Sequence, residues 1–143
     1  PSIFVPHQKV DGLEKCDGKI VITLQREGCL GMCPAYAAQI HADGEVVFIG
    51  QGNVKEIGER RSKISPEKLQ ELIKEFQRVD YFSLKDKYEN EVMSTETPST
   101  ITSICLDGKK KTVVNYLGAP RKLDELEDKI ERLAGLYPFI GPL

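Results

Sequence analysis

Two Asp-Gly pairs, Asp43-Gly44 and Asp107-Gly108, each lie between runs rich in β-branched and apolar residues. This is a strong hairpin signal, because both residue types tolerate the positive φ that a tight turn demands. The first pair joins residues 36–41 to 45–49, and the second joins residues 99–106 to 111–116. Upstream, the run Lys-Ile-Val-Ile-Thr-Leu at residues 19–24 reads as another strand. Residues 54–63 are extended and more polar, as expected of an edge strand whose charges, Arg60 and Arg61 among them, discourage pairing with other chains.

Two helices follow from spacing. Ser65 can cap free amides, Pro66 suits the first helical position, and Glu67 complements the positive end of the helix dipole. Leu69, Leu72, Ile73, Phe76 and Val79 then fall on one apolar stripe, which Tyr81, Phe82 and Leu84 continue beyond the helix. Pro120 opens the second helix, with the stripe Leu123, Leu126, Ile130 and Leu133 and with Gly135 placed to end it. An amphipathic helix needs an apolar surface to cover, and an antiparallel sheet supplies one. The expected fold is α+β: an antiparallel sheet of hairpins with two amphipathic helices on one face, in two hairpin-helix units.

The chain has 143 residues, enough for one domain with a real core. Residues 1–18, broken by Pro1, Pro6, Gly12 and Gly18, read as an irregular N-terminal extension, and residues 19–143 as a single domain. Residues 85–98 are polar without periodicity and read as a long loop. A net charge of −2 argues against a nucleic-acid partner. No apolar run approaches the roughly 20 residues that span a bilayer, so no transmembrane segment is expected.

The four cysteines, Cys16, Cys29, Cys33 and Cys105, form an even set. Cys29 and Cys33 lie in the octapeptide Cys-Leu-Gly-Met-Cys-Pro-Ala-Tyr, residues 29–36. A fully extended chain would hold their Cα atoms roughly 13 Å apart, beyond the limit of about 7 Å for a disulfide. A turn at Gly31 brings them into range. A structural disulfide that shapes this loop is the favoured reading, and pairing points to an oxidising compartment. Three other uses remain open. A redox pair normally has two intervening residues at a helix N-terminus; here three intervene and a strand follows. Metal binding needs further ligands, and only His7 and His41 are available. A cysteine nucleophile with His41 as base lacks a third, orienting group. Cys16 and Cys105 pair or stay free; Cys105 reads equally well as a small buried hydrophobe.

The octapeptide resembles the signature Cys-x-Gly-x-Cys-Pro-x-Tyr of an uncharacterised bacterial domain-of-unknown-function family. The resemblance runs on through Ile64-Ser65-Pro66-Glu67-Lys68, Phe82-Ser83-Leu84-Lys85-Asp86 and Lys111-Thr112-Val113-Val114 to the final helix. It implies an exported or lipoprotein-type protein and transfers no catalytic residue. The threonine-rich run before the last hairpin is shorter here, and the segment around Cys16 has no counterpart.

Other clusters have plain readings. Lys109-Lys110-Lys111 is a solvated turn, and His41 an exposed strand end. Asp80, Asp86, Glu89, Glu91 and Glu96 lack the spacing of a calcium loop. Tyr36, Tyr88 and Tyr116 read as core tyrosines with wet hydroxyls. Phosphate-loop, nucleophile-elbow and paired-histidine motifs are absent from the sequence. The expectation is a non-enzymatic, exported binding or interaction domain, periplasmic or extracellular, with a lipid-anchored precursor as one form the resemblance allows. Its surface for a protein or small-molecule ligand would be built on Gly31, Met32, Pro34 and Tyr36 around Cys29 and Cys33, with no metal or cofactor. The alternative is a thiol–disulfide or metal-binding protein using the same cysteines.

Overall fold

The computed structural model describes residues 9–10, 13–16, 18–29, 31–89 and 97–142. Strands β1 (Lys9–Val10), β2 (Leu13–Lys15), β3 (Ile20–Arg26), β4 (Ala35–His41), β5 (Glu45–Gly52) and β6 (Gly58–Lys63) precede helix α1 (Pro66–Arg78). A 3-10 turn (Tyr81–Ser83), β7 (Lys87–Tyr88), β8 (Thr100–Leu106), β9 (Lys109–Asn115), α2 (Arg121–Leu133) and the single-turn α3 (Tyr137–Ile140) follow. The strands form one sheet in the order β1-β2-β9-β8-β3-β4-β5-β6; every pairing is antiparallel except that of β7, which runs parallel to β9. The fold is α+β, and the pairing of β3 with β8 joins its two hairpin-helix units.

The turns obey their chemistry. At the β8–β9 hairpin Asp107 and Gly108 both adopt positive φ, 52° and 77°. At the β4–β5 hairpin only Gly44 does, at 89°, and a Cβ there would stand 2.5 Å from the Ile64 carbonyl oxygen. Ser65 caps α1 by accepting from the Lys68 amide at 3.1 Å. Among the described residues no helix is long and apolar enough to cross a membrane.

Register decides what the helices cover. On β3, Ile22, Leu24 and Arg26 share the inner side, because side chains alternate along a strand. Opposite them lie Ile40, Ala38 and Tyr36 on β4, and Ile104, Thr102 and Thr100 on β8. Lys111, Val113 and Asn115 continue these rows on β9. The first two rows meet Leu69, Leu72 and Phe76 of α1 and Leu123, Leu126 and Ile130 of α2 in one buried cluster. The third row, Tyr36–Arg26–Thr100–Asn115, is polar.

Several details depart from the sequence reading. The segment expected to be irregular contributes β1 and β2, with β2 pairing on β9. Strands this short carry no sequence period, so only the pairing reveals them. Cys16 and Cys105 are paired, with Cα atoms 5.6 Å apart. Within residues 54–63 only β6 is strand. Gly50 lets the preceding loop fold back on β5, since a Cβ there would lie 1.9 Å from the Glu56 carbonyl oxygen. The expected loop at 85–98 includes β7, anchored where the Val114 amide donates to Asp86 O at 2.9 Å; residues 90–96, with Glu91 and Glu96, lie outside the described residues. Lys111 is not a solvated turn residue: its Nζ donates to Leu84 O and Asp86 Oδ1, each at 2.6 Å. His41 is half-buried, with Nδ1 3.5 Å from Glu45 Oε1.

Candidate functional site

The polar row of the sheet faces a polar stripe on α2. Asp124, Glu127, Asp128 and Glu131 are spaced three, four and seven residues apart, which aligns them along one side of a helix. Arg26 reaches this stripe from β3. Its Nε donates to Glu131 Oε2 at 2.9 Å, Nη1 to Thr100 Oγ1 at 3.0 Å and Nη2 to Asp128 Oδ1 at 3.3 Å. The Tyr36 hydroxyl donates to the same Glu131 oxygen. Asn115 Nδ2 donates to both Asp124 Oδ1 and Glu127 Oε2 at 2.9 Å.

Glu127 is the least compensated member. It is only 4% exposed. Its Oε1 stands 3.7 Å from Arg26 Nη1, outside hydrogen-bond reach. Burial pushes its carboxyl up from 4.5 to about 7, although the Asn115 bond and the Arg26 charge both oppose the shift. Arg26 behaves differently. Burial alone would lower it, but the bond to Glu131 and that carboxylate's charge outweigh burial, so Arg26 is held charged. Tyr36 is pushed up by burial and then by the Glu131 charge, so it stays a neutral donor.

This cluster opens on a cleft of about 640 Å³. Apolar residues, among them Pro98, Leu117 and Ile140, share the walls with the acid stripe. Cys33 and Pro34 of the disulfide loop form another part of the rim. The loop is held in place twice: Cys29 and Cys33 are bonded with Cα atoms 5.5 Å apart, and Asn53 Nδ2 donates to Gly31 O and Cys33 O at 3.2 Å each.

The residues singled out in the sequence separate into two groups. Cys33 and Pro34 line the cleft, while Gly31 and Met32 sit on the exposed outer part of the loop, Met32 78% exposed. Tyr36 does not belong to that surface. It occupies the inner side of β4, fully buried against Phe48, and meets the cleft through Glu131 and its cross-strand neighbour Arg26. His41 lies at the opposite end of β4, roughly 25 Å along the strand from Cys33, so these two are not brought together; His7 lies outside the described residues. Among the described residues, no group of three or more His, Cys, Asp or Glu side chains could hold a metal ion. The sequence reading missed Arg26, Asn115, Glu127 and Glu131. Their signals were the break from apolar to polar in Ile22-x-Leu24-x-Arg26 and Val113-x-Asn115, together with the acid spacing on α2.

The fold and cleft define a class: an α+β domain whose helix–sheet interface ends in a polar cleft beside a disulfide-tied loop. Residues 20–134 match the family described as Domain of unknown function (DUF6438), and the chain belongs to that family. No curated protein matches the chain.

Proposed function

We propose that the chain is a non-enzymatic binding domain whose ligand site is the cleft between the β3–β8–β9 end of the sheet and α2. The observation that carries this reading is the part-buried Arg26–Glu131 pair, joined by the buried Tyr36 hydroxyl, opening on a 640 Å³ cleft with the buried Glu127 beside it. Buried ionised groups rarely add net stability over apolar ones of like size. Where local rules for folding are broken without gain, a functional site is the first explanation. The disulfide loop supplies a preformed rim, which limits the ordering that binding would require. Two paired sets of cysteines support an exported setting, periplasmic or extracellular.

The thiol–disulfide alternative gains little. The strand β4, not a helix N-terminus, follows Cys33, so the usual depression of a thiol pKa has no source. A mixture of small polar and apolar fragments at millimolar concentration, followed by amide chemical shifts of the full chain, tests the binding reading. Shifts grouped on Arg26, Cys33, Thr100, Asn115 and Tyr116 are expected; shifts scattered over the surface, or none, would overturn it. Alkylation and peptide mapping before and after reduction checks the export argument: Cys29 and Cys33 should resist alkylation until reduced.

A further inference from the structure

The guanidinium of Arg26 is shared unevenly among the acids of α2. Its Nε–Glu131 bond, at 2.9 Å between two part-buried side chains, is the firm contact. The Nη2–Asp128 bond is the weak one. It measures 3.3 Å, and the Asp128 side chain is 74% exposed, so water competes for both groups. Nη1 gives one hydrogen to Thr100 and carries a second. Glu127 Oε1 stands 3.7 Å from that nitrogen, just beyond hydrogen-bond reach.

A guanidinium is a rigid planar fork, so its donors move together. A turn about the Nε–Glu131 bond that brings Nη1 onto Glu127 carries Nη2 away from Asp128. The charge of Glu127 decides which arrangement holds. A neutral carboxyl draws the guanidinium weakly, whereas a carboxylate at 4% exposure forms a charge-assisted bond where water reaches poorly. No other cation competes for Glu127 among the described residues that line the cleft. Beside it α2 presents Asp124, Asp128 and Glu131, and Glu27 follows β3. Tyr36 of β4 is bound to Glu131, and Tyr116 follows β9; β8 and α3 present no charged group there. Helix α1 meets another side of α2, where Lys129 donates to Glu75.

We propose that Arg26 is a proton-controlled latch between the sheet and α2: with Glu127 neutral it bonds Glu131 and Asp128, and with Glu127 ionised it exchanges Asp128 for Glu127 and frees a carboxylate at the rim of the cleft. Burial places the changeover near neutrality, because it raises the Glu127 carboxyl to about 7. The neutral form then leads about tenfold at pH 6, and the ionised form about tenfold at pH 8. The latch stands by itself; that it regulates ligand entry rests on the binding reading above.

The test is a titration of the full oxidised chain from pH 5 to 9, read by side-chain carboxyl carbons and arginine Nε–H resonances. Glu127, Arg26 and Asp128 should move together with a midpoint near 7, and the Thr100 amide with them. Glu127→Gln, a neutral isostere, should hold Arg26 in its acid-side position and abolish the inflection at Arg26 and Asp128 between pH 6 and 8. Asp128→Asn should keep the Arg26 inflection, because Asp128 follows the latch and does not drive it. Glu127 titrating while Arg26 stays still would overturn the latch. So would an Arg26 inflection that survives in Glu127→Gln, or a Glu127 midpoint near the ordinary 4.5. If the fragments map to the cleft and Arg26 does not titrate, only the latch falls. If Arg26 titrates and no fragment maps there, the latch stands and the binding reading falls.

Discussion

The same strands and the same helix build two unlike interiors. Toward the middle of the inner face, Ile22, Leu24, Ile104 and Val113 meet Leu126 and Ile130, and the contact is dry and apolar. A few ångströms along, Arg26, Tyr36, Thr100 and Asn115 meet Asp124, Glu127 and Glu131, and the contact is a charged network opening on a cleft. Backbone geometry is shared, so the difference lies wholly in side chains. The apolar part explains why the chain folds. The polar part needs another explanation, since a buried ion pair seldom stabilises more than the apolar groups it replaces. One interface thus carries stability at its centre and recognition at its end.

The largest single effect should come from cutting the network rather than the core. Arg26→Ala leaves Glu131, Glu127 and the Tyr36 hydroxyl without their cation, and removing one partner of a buried pair costs about 3–5 kcal/mol. Urea unfolding at pH 7 measures it; a loss below about 1 kcal/mol would mean that water, not protein, solvates this row. Next comes the centre. Ile130→Ala opens a cavity among fully buried neighbours and should lose about 2–4 kcal/mol by the same measurement. No pH dependence between pH 5 and 8 should accompany that loss, in contrast to the polar end.

Glu127 sharpens the contrast because its sign is reversed. Its carboxyl titrates near 7 in the folded chain, above its ordinary 4.5, so the native state holds a proton that the unfolded state releases. The stability linked to that proton is complete below about pH 4.5 and is lost as pH rises through 7. Glu127→Gln should therefore raise stability by about 1–3 kcal/mol at pH 8 and change little near pH 4.5. Melting curves across this range would contradict the account if wild type and variant ran parallel. The smallest effect belongs to the rim. Replacing Cys29 and Cys33 together by serine removes a very short closed loop, worth about 2 kcal/mol at most, and should leave the α2–sheet network intact. Amide shifts at Arg26 and Asn115 check that separation.

The fold was legible where one local rule acted alone. Asp43-Gly44 and Asp107-Gly108 announced their hairpins, and Ser65-Pro66 announced α1, because turn and cap chemistry needs no distant partner. The strands β1, β2 and β7 escaped because they are two or three residues long and exist only through pairing, β2 and β7 to β9 and β1 to β2. The cysteine loop was legible as one wall of a site, but the site's floor was not. Arg26 lies beyond the apolar run of residues 19–24, and Glu127 and Glu131 lie off the apolar stripe of the second helix, so nothing local singled them out. Only the register that sets Arg26 between Tyr36 and Thr100, and the packing of α2 over that row, brings them together. Tyr36 shows the converse: next to an exposed loop in sequence, it is buried because β4 turns it inward.

The most direct test replaces the polar row with apolar side chains of similar volume: Arg26→Met, Tyr36→Phe, Glu127→Leu and Glu131→Leu in one chain, compared with wild type by urea unfolding at pH 7. If the row serves recognition rather than folding, the variant should be as stable as wild type or more so, by up to about 4 kcal/mol. A loss of more than about 2 kcal/mol would show that the charged network holds the fold together, and would contradict the account.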